Sequence, residues 1–384
     1  MPIEVTIDPG RHDRDHSPLS VDLPSGIPEG IYRFADRDAR AHAGGTVAQA
    51  AGRKLWFVTG KLKAGQPAVL RASPGAPTGE SLTMEEESDT LTFLADGALV
   101  TRYHFGDRSP LPLPARPYFS PVKLGDTEIT RRVTPRKEPQ PKIDHPHHRS
   151  LWVAHGLVNG VDLWSEDASH GLQKHTGFAW QVNKGPVWVG FEETLTWQSA
   201  KGVALVDESR VFRAWQSVPG GRFLDLEVTF RATHGDVTFG DTKEGGICAI
   251  RLREPLQGDQ TGLIAHALGG LGECESWGHR ASWIDYSGEL DGRKVGIAVL
   301  DHPKAFRYPT HWHIRDYGLF AANPFAWHDY QSGWSNDGSH VLKAGASLPF
   351  RYRIFLHEGD RNSARVAARW LDWAFPPKTE AKAT

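Results

Sequence analysis

A short histidine-rich segment, residues 144–166, concentrates more potential chemistry than any other part of the chain. It reads DHPHHRSLWVAHGLVNGVDLWSE, with four imidazoles among carboxylate and arginine side chains. Imidazole can ligate a metal ion, and it can accept and return a proton near neutral pH, so this crowding predicts a functional site. Histidine is common in the chain, 19 of 384 residues, so chance clustering in ordinary hydrogen-bonding roles is the alternative.

The spacing of these histidines limits how they could bind a metal. His148 and His155 would stand roughly 20 Å or more apart on a straight strand and about 10 Å apart on a helix. A turn must therefore fold the segment back, or ligands must come from elsewhere, and Pro146 favours such an irregular backbone. We expect a divalent metal ion, such as zinc or manganese. The candidate ligands are His147, His148, His155 and His175.

A second polar segment, residues 301–325, alternates imidazole and guanidinium side chains. His311, His313 and Arg315 are spaced by two, so on an extended strand all three would share one face. Two imidazoles and a guanidinium suit a polar ligand that develops negative charge, although an exposed polar face would show the same pattern. We predict that this face and the histidine-rich segment line one cleft.

Further candidates come from two shorter motifs. Residues 240–246 set Lys243 beside Glu244 next to two flexible glycines that would let the backbone approach a ligand, although a plain surface ion pair is the alternative. The candidate catalytic residues are His313, His311, Glu244 and Lys243. The candidate substrate-binding residues are Arg116, Tyr118, Arg149, Asn159, Asp162 and Arg315.

The elements that must position these residues are mainly strands. Alternate residues of 224–230 are apolar while those between them are polar, which is typical of a half-buried strand. Residues 295–300 are apolar throughout, which indicates a strand buried on both faces. Many such short segments, separated by glycine, proline and aspartate, predict an all-β fold built as a large antiparallel β-sandwich.

The C-terminal region alone indicates a helix. Val366 and Trp370 belong to an apolar stripe at three- and four-residue spacing, Asn362 or Ser363 could cap it, and Pro376 prevents its continuation. The expected division of the chain is an N-terminal β region within the same sandwich at 1–110, the main sandwich at 111–375 and a frayed polar tail at 376–384. Residues 131–142, which lead into the histidines, read as a solvated loop in preference to a lid.

Composition excludes several classes of protein. The formal net charge is −2 with 23% charged residues, so neither nucleic acid nor an anionic membrane is an expected partner. No signal peptide and no long apolar run is present, which predicts a soluble cytoplasmic protein of unspecified oligomeric state. Cys248 and Cys274 lack CxxC spacing and are expected to be reduced core or near-core residues. The 14 tryptophans favour core filling over sugar stacking.

Five motifs together resemble the PmoA-like family of soluble bacterial proteins. They are RPYF from Arg116, DHPHHRSLW from Asp144, HGLVNGVDLW from His155, GDTKEGG from Gly240 and RYPTHWHIRDYGLFAANPF from Arg307. The resemblance runs from about Arg116 to Gly359 and departs at Ser150, where the family often has glycine. It implies a galactose-mutarotase-like supersandwich and saccharide chemistry. The methane oxidation in the family's name belongs to an integral membrane enzyme, and this chain has no segment that could span a bilayer.

These observations lead to one preferred function and several alternatives. We predict a metal-assisted enzyme that acts on a small sugar or sugar derivative, as a lyase, hydratase or hydrolase of an oxidised (keto) sugar or glycoside. A metal-free mutarotase or epimerase, with a histidine acid and a glutamate base, is the nearest alternative. A non-catalytic carbohydrate-binding protein is another. A histidine-ligated iron oxygenase is weaker, because the spacing reveals no set of two histidines and one carboxylate.

Overall fold

The regular secondary structure of the chain consists mainly of antiparallel strands, as predicted for an all-β sandwich. The structure, a computed structural model, describes residues 1–35, 47–106, 116–133, 144–166, 169–330 and 336–384. Most of the predicted solvated loop at 131–142 lies outside these residues. Within the described ranges, no helix is long and apolar enough to cross a membrane.

The strands of the first half, in chain order, are β1 (Ile3–Asp8), β2 (Arg14–Asp15), β3 (Pro18–Asp22), β4 (Gly30–Phe34), β5 (Val47–Ala51), β6 (Lys54–Val58), β7 (Lys61–Leu62), β8 (Ala68–Pro74), β9 (Leu82–Glu87), β10 (Thr90–Ala95), β11 (Ala98–His104), β12 (Tyr118–Leu124), β13 (Thr127–Glu128), β14 (Leu151–His155) and β15 (Leu172–Val182).

Those of the second half are β16 (Lys184–Gly185), β17 (Trp188–Gln198), β18 (Ala204–Val218), β19 (Gly221–Arg231), β20 (Val237–Phe239), β21 (Gly245–Arg251), β22 (Leu263–His266), β23 (Trp283–Leu290), β24 (Arg293–Asp301), β25 (Trp312–Arg315), β26 (Leu319–Ala322), β27 (His340–Leu342), β28 (Ser347–Glu358) and β29 (Lys378–Ala383). The helices are α1 (Trp327–Tyr330) and α2 (Val366–Ala374), and a 3-10 turn covers Glu254–Leu256.

Three large sheets organise these strands. The ten-stranded sheet has the order β16-β9-β10-β11-β12-β14-β21-β26-β25, with β13 paired to β12. The eight-stranded sheet has the order β15-β17-β18-β19-β28-β24-β23-β22, and the seven-stranded sheet the order β29-β1-β8-β4-β5-β6-β3. Two small ribbons, β2-β7 and β20-β27, complete the arrangement.

The main sandwich forms where the ten- and eight-stranded sheets pack face to face. Phe119 of β12 lies 4.1 Å, between ring centroids, from Phe212 of β18, and Phe93 of β10 lies 5.2 Å from the same ring. The alternating apolar residues of β19 enter this core, because every second side chain of a strand points to the same face. The largest hydrophobic cluster of the molecule therefore lies between these two sheets.

The eight-stranded sheet is covered on its other face as well. Trp56 of the seven-stranded sheet contacts Trp188 and Trp215 at centroid distances of 5.2 and 5.9 Å. Residues 295–301 of β24 are buried on both faces for this reason, as the apolar run at 295–300 indicated. None of the tryptophans in the described part of the chain is exposed, and most of them pack in hydrophobic clusters.

The N-terminal region divides between two sheets. Six of the strands up to Pro74 belong to the seven-stranded sheet, which has its own core, whereas β9, β10 and β11 join the ten-stranded sheet. The expectation of a frayed tail at 376–384 is wrong, because β29 pairs with β1 from Ile3↔Ala383 to Asp8↔Lys378. The edge of β1 supplies hydrogen-bonding partners for the backbone N–H and C=O groups of the tail, so the tail forms a strand although its side chains are polar.

Helix α2 confirms the predicted C-terminal helix, but its start differs from expectation. Arg365 precedes the helix in a left-handed conformation, with φ at 57°, and no side chain caps the first turn. Asn362 and Ser363 instead donate their backbone N–H groups to the carboxylate of Asp360, 3.0 Å away in each case. The apolar stripe of the helix packs against the layer between the seven- and eight-stranded sheets.

The two cysteines differ in environment. Cys248 lies in β21 and is buried, as expected. Cys274 is exposed, so its assignment to the core or its neighbourhood is corrected. It lies in the irregular segment between β22 and β23, where no alternating strand pattern directs a side chain inwards.

Candidate active site

A cavity of about 560 Å³ opens on the face of the ten-stranded sheet that points away from the sandwich core. It lies over β14, β21, β26 and β25, and both polar segments singled out in the sequence contribute to its walls. The lining residues with the most chemical potential are His147, His148, His313, Glu244, Lys243 and Arg315. The structure thus brings His148 and His313 to one cavity.

Strand β25 presents two of its four residues to this cavity. Trp312 and Ile314 enter the sandwich core, so His313 and Arg315 point outwards. His311 precedes the strand and does not line the cavity, since its Nδ1 lies 2.8 Å from the carbonyl oxygen of Gly278. The predicted three-residue polar face therefore holds two residues at the cavity.

A partly buried arginine holds the histidine-rich loop in place. Arg131 donates hydrogen bonds to the carbonyl oxygens of Asp144 at 2.8 Å, His145 at 3.0 Å and His148 at 3.3 Å. Burial lowers the pKa of Arg131 to about 10, and the neighbouring Arg251 acts in the same direction. Three successive contacts with main-chain oxygens fix the irregular turn at Pro146.

A second arginine fixes the chemistry of His148. Arg251 of β21 donates to Asp144 Oδ2 at 2.6 Å and to His148 Nδ1 at 3.1 Å. A guanidinium group can only donate, so Nδ1 must accept, and the neutral imidazole carries its hydrogen on Nε2. His145 and Trp152 stack on the ring at centroid distances of 4.7 and 5.5 Å, which restricts its rotation.

Three of the imidazoles that line the cavity, those of His147, His148 and His313, are uncharged at neutral pH. Burial, followed by the charge of Arg116, lowers the pKa of His147 to about 3. Burial, followed by the charge of Arg315, lowers the pKa of His313 to about 3 as well. Burial also places the pKa of His148 well below its ordinary value. These rings therefore present hydrogen-bonding nitrogens and no positive charge to a ligand.

Glu244 is the carboxylate best placed for proton transfer. Burial raises its pKa, against the opposing charge of Lys243. Among the residues that the structure describes, its carboxylate has no hydrogen-bond or ion-pair partner. Its backbone is fixed, because its carbonyl oxygen accepts the N–H of Gly156 at 2.6 Å. A Cβ at position 156 would stand only 2.6 Å from that oxygen, so glycine is required for this approach.

Asp162 also lines the cavity, but its oxygens are already in use. Oδ1 accepts the backbone N–H groups of Trp164 at 2.7 Å and Ser165 at 3.1 Å, and the Ser165 hydroxyl donates to Oδ2. Burial acts to raise the pKa of Asp162, but these hydrogen bonds outweigh it and lower the pKa. The group is therefore an ionised carboxylate that stabilises a turn, with little tendency to accept a proton.

The four histidines expected to bind a metal do not converge. His155 is fully buried beside Phe325, with Nε2 2.9 Å from the carbonyl oxygen of Gly240, and it does not line the cavity. His175 lies on β15 of the eight-stranded sheet, with Nδ1 2.6 Å from Glu193 Oε1. The predicted ligand set is corrected accordingly, because strand pairing carries these two histidines to other places in the molecule.

The remaining pair does not form a metal site either. Nδ1 of His148 is engaged by Arg251 and Nε2 carries the hydrogen, so neither nitrogen of the neutral ring offers a lone pair to an ion. Among the described residues, no group of three or more histidine, cysteine, aspartate or glutamate side chains is placed to hold a metal ion. The described residues therefore supply no ligand set for the expected divalent ion, which stays a prediction.

Arg116 and Arg149 lie behind the cavity wall and do not line it. Both approach Glu166, which accepts from Arg149 and lies 3.3 Å from Arg116. Arg116 also donates to the carbonyl oxygen of Trp164 at 2.6 Å, and burial lowers its pKa to about 10. Their assignment as substrate-binding residues is corrected, since their guanidinium groups support the segment that carries Asp162.

Two other predicted substrate contacts have structural roles. Tyr118 is buried, with the guanidinium of Arg149 5.6 Å from its ring centroid. The side chain of Asn159 bridges to the ribbon that contains β20, where its Oδ1 accepts the N–H of Thr238 at 2.7 Å. Neither residue lines the cavity. Of the six residues expected to bind substrate, Asp162 and Arg315 line the cavity.

Sequence reasoning missed the residues that support the site from the sheet. Arg251 ends β21, whose residues are all buried, and a lone arginine after an apolar run is a signal that could have identified it. Tyr317 lines the cavity and stacks on His145 at a centroid distance of 4.9 Å. It follows Arg315 by two residues, so extending the alternating pattern would have included it.

Comparison with known proteins places the chain in a family. Residues 90–371 match the model of a family of unknown function (DUF6807). The chain belongs to this family. No curated protein matches it. The PmoA-like resemblance, which covers a segment within the matched range, stays a prediction.

A solved structure shows a distant likeness. It is a protein in the glycosyl hydrolase family 38 from Enterococcus faecalis, with a TM-score of 0.43 and 9% sequence identity. The match covers 100% of this chain and 47% of that protein, so this chain spans about half of its length.

Proposed function

We propose that this protein is an enzyme that moves a proton on a small, polyhydroxylated molecule of the carbohydrate class. The observation that carries the proposal is Glu244, a carboxylate of raised pKa without a described partner, which shares a polar cavity with neutral imidazoles. A carboxyl group with a raised pKa is a stronger base than an ordinary one when ionised, so it suits proton abstraction. Glu244 is therefore the acid–base residue of the proposed enzyme.

The other lining residues take different roles. Imidazoles with a pKa of about 3, such as those of His147 and His313, are poor proton acceptors at neutral pH and act as hydrogen-bonding groups. Lys243 and Arg315 bring positive charge to the same walls. Such charge stabilises an oxyanion that forms when a proton leaves a neighbouring carbon.

The size and polarity of the cavity support a sugar-like substrate. Its volume of about 560 Å³ falls within the usual range for small-molecule sites. Many hydrogen-bonding groups line it, and a polyhydroxylated molecule can satisfy them together. An oxidised sugar fits best, because its carbonyl acidifies the adjacent C–H bond, and epimerases, lyases and hydratases share that first step.

The aromatic residues of the cavity give less support to a purely binding protein. Trp164 packs against Trp152 and His148 at centroid distances of 5.4 and 5.6 Å, and Tyr317 is stacked on His145. These rings are engaged with protein side chains, whereas carbohydrate-binding modules use open aromatic faces. The arrangement therefore favours catalysis over sugar stacking.

Deuterium exchange tests the proposal directly. Aldoses, ketoses, uronates and their keto derivatives are incubated with the protein in D₂O, and proton NMR follows the C–H signals next to each carbonyl. We expect exchange or conversion with at least one oxidised sugar, and a loss of about 100-fold or more in Glu244→Gln. Glu289→Gln, an exposed residue at the far end of β23, is the control and should keep the wild-type rate.

Two results would contradict the proposal. One is a folded wild-type protein that exchanges no proton in any member of the panel. The other is a Glu244→Gln variant that exchanges as fast as the control, because proton transfer would then depend on another group.

A further inference from the structure

We propose that Arg251 fixes His148 as a hydrogen-bond donor to the carbonyl oxygen of a substrate whose neighbouring C–H bond is broken. This inference rests on the proposed function, in which Glu244 removes the proton. It specifies the substrate class as a molecule with a hydrogen on the carbon next to a carbonyl group, such as a keto sugar. Arg251 is a positioning residue in this scheme, and His148 contacts the substrate.

The first step of the argument is the position of the hydrogen on His148. The guanidinium of Arg251 is itself held by Asp144 Oδ2 at 2.6 Å, so the N–H group that meets Nδ1 has a fixed direction. A hydrogen on Nδ1 would oppose that N–H group, which makes both the other tautomer and the imidazolium form unfavourable. The remaining form is the neutral ring with Nε2–H.

The second step is the orientation of the ring. His145 and Trp152 stack on the ring, while His147 and Trp164 make edge contacts at centroid distances of 4.6 and 5.6 Å. Nε2 has no hydrogen-bond partner among the described residues, and His148 lines the cavity. The N–H group is therefore directed to the ligand by packing that exists before the ligand binds.

The third step is the chemistry that such a donor serves. Glu244, in its carboxylate form, takes the proton from the carbon next to the carbonyl group. The electron pair of the broken C–H bond forms a C=C bond, and the carbonyl π electrons move to oxygen, which becomes an oxyanion. The Nε2–H of His148 donates a hydrogen bond to that oxygen and keeps its proton. Delivery of a proton to the opposite face by a second acid gives an epimer, whereas departure of a group from the next carbon, with the proton held by Glu244 passing to that group, gives an elimination product.

A neutral donor is suited to these surroundings. Lys243 and Arg315 already place two cationic side chains on the cavity walls. A charged imidazolium would add a third positive charge next to Arg251, whereas neutral imidazole supplies a directed N–H group without that repulsion.

Nitrogen NMR tests the tautomer without any substrate. Long-range ¹H–¹⁵N correlation spectra of protein labelled with ¹⁵N-histidine distinguish Nε2–H, Nδ1–H and imidazolium, and the signal of His148 is identified by its absence in His148→Gln. We expect the Nε2–H pattern at neutral pH, and a mixture of tautomers in Arg251→Met. A wild-type ring that shows Nδ1–H or imidazolium would overturn the assignment even if Arg251→Met fails to fold.

Deuterium exchange then tests the role of the donor. His148→Ala is expected to exchange about 100-fold more slowly than wild type. His148→Gln should recover part of that loss, because its amide N–H lies near the position of Nε2–H. His279→Gln, at an exposed site outside the cavity, should behave as wild type.

The outcomes separate this inference from the proposed function. Two outcomes overturn the donor role alone, provided that the wild type exchanges deuterium. One is a His148→Ala variant that exchanges as fast as wild type. The other is a His148→Gln variant that exchanges as slowly as His148→Ala. No exchange in wild type overturns the proposed function and the donor role together. The NMR result decides the effect of Arg251 in either case.

Discussion

Replacing Asp301 with asparagine should raise the free energy of unfolding above pH 7. Asp301 ends β24 and is fully buried, with Oδ2 accepting the backbone N–H of Thr310 at 2.9 Å. Its Oδ1 is enclosed and has no hydrogen-bond partner among the described residues. Burial raises the pKa of Asp301 from 3.8 to about 7, although the N–H groups of Thr310 and His302 act to lower it. Asparagine keeps an acceptor for Thr310 and cannot ionise.

The magnitude follows from the raised pKa. Asp301 holds its proton more tightly in the folded protein than in the unfolded chain, so proton binding at Asp301 stabilises the fold. In the wild type this contribution to the free energy of unfolding is fully present below about pH 4 and is lost as pH rises through about 7. At about 1.4 kcal/mol for each pH unit, the interval from 3.8 to about 7 corresponds to about 4 kcal/mol. The advantage of Asp301→Asn should therefore grow from near zero in acid to about 4 kcal/mol above pH 7.

Urea unfolding followed by tryptophan fluorescence measures this difference at a series of pH values between about 4 and about 8. Asp291→Asn is a matched control, because that carboxylate is exposed and pairs with Arg253 at 2.6 Å. A difference between wild type and Asp301→Asn that stays constant across the pH range would refute the reasoning. A variant less stable than wild type at the alkaline end would refute it as well.

Two further predictions concern the cavity. Treatment with a chelator should leave turnover unchanged, because the described lining residues form no metal site. Activity that disappears with the chelator and returns with added zinc or manganese would contradict this expectation. Gly156→Ala should slow deuterium exchange about tenfold or more and destabilise the protein by about 1–3 kcal/mol, because its Cβ would push against the carbonyl of Glu244. Thermal unfolding and exchange rates check both parts, and a variant with wild-type values would show that Glu244 does not depend on this close approach.

The sequence predicts correctly which side chains share one face of a strand, because that property depends only on neighbouring residues. Alternation placed His313 and Arg315 on the face opposite Trp312, and the structure shows that arrangement. The same rule failed at His311, because β25 begins one residue later and no periodicity marks that boundary. Local pattern therefore identified the polar face but not its extent.

Long-range strand pairing limited the prediction of the site. His155 lies close to His148 in sequence, yet β14 pairs with β21 through a register shift and carries His155 into the core. His175 belongs to a strand of the other sheet. No spacing rule shows which sheet a strand will join, so a ligand set chosen by sequence proximity included residues that the fold separates.

The pairing of β1 with β29 makes the seven-stranded sheet a discontinuous folding unit. Ile3 pairs with Ala383, although nearly the whole of the sandwich lies between them in sequence. Contacts of such long separation slow folding, because a large chain entropy is lost before they form. The strands from Ile3 to Pro74 therefore cannot complete their sheet until the rest of the chain has brought β29 alongside. Until then β1 has an open edge, and this transient edge is the point where two unfinished chains could pair with each other.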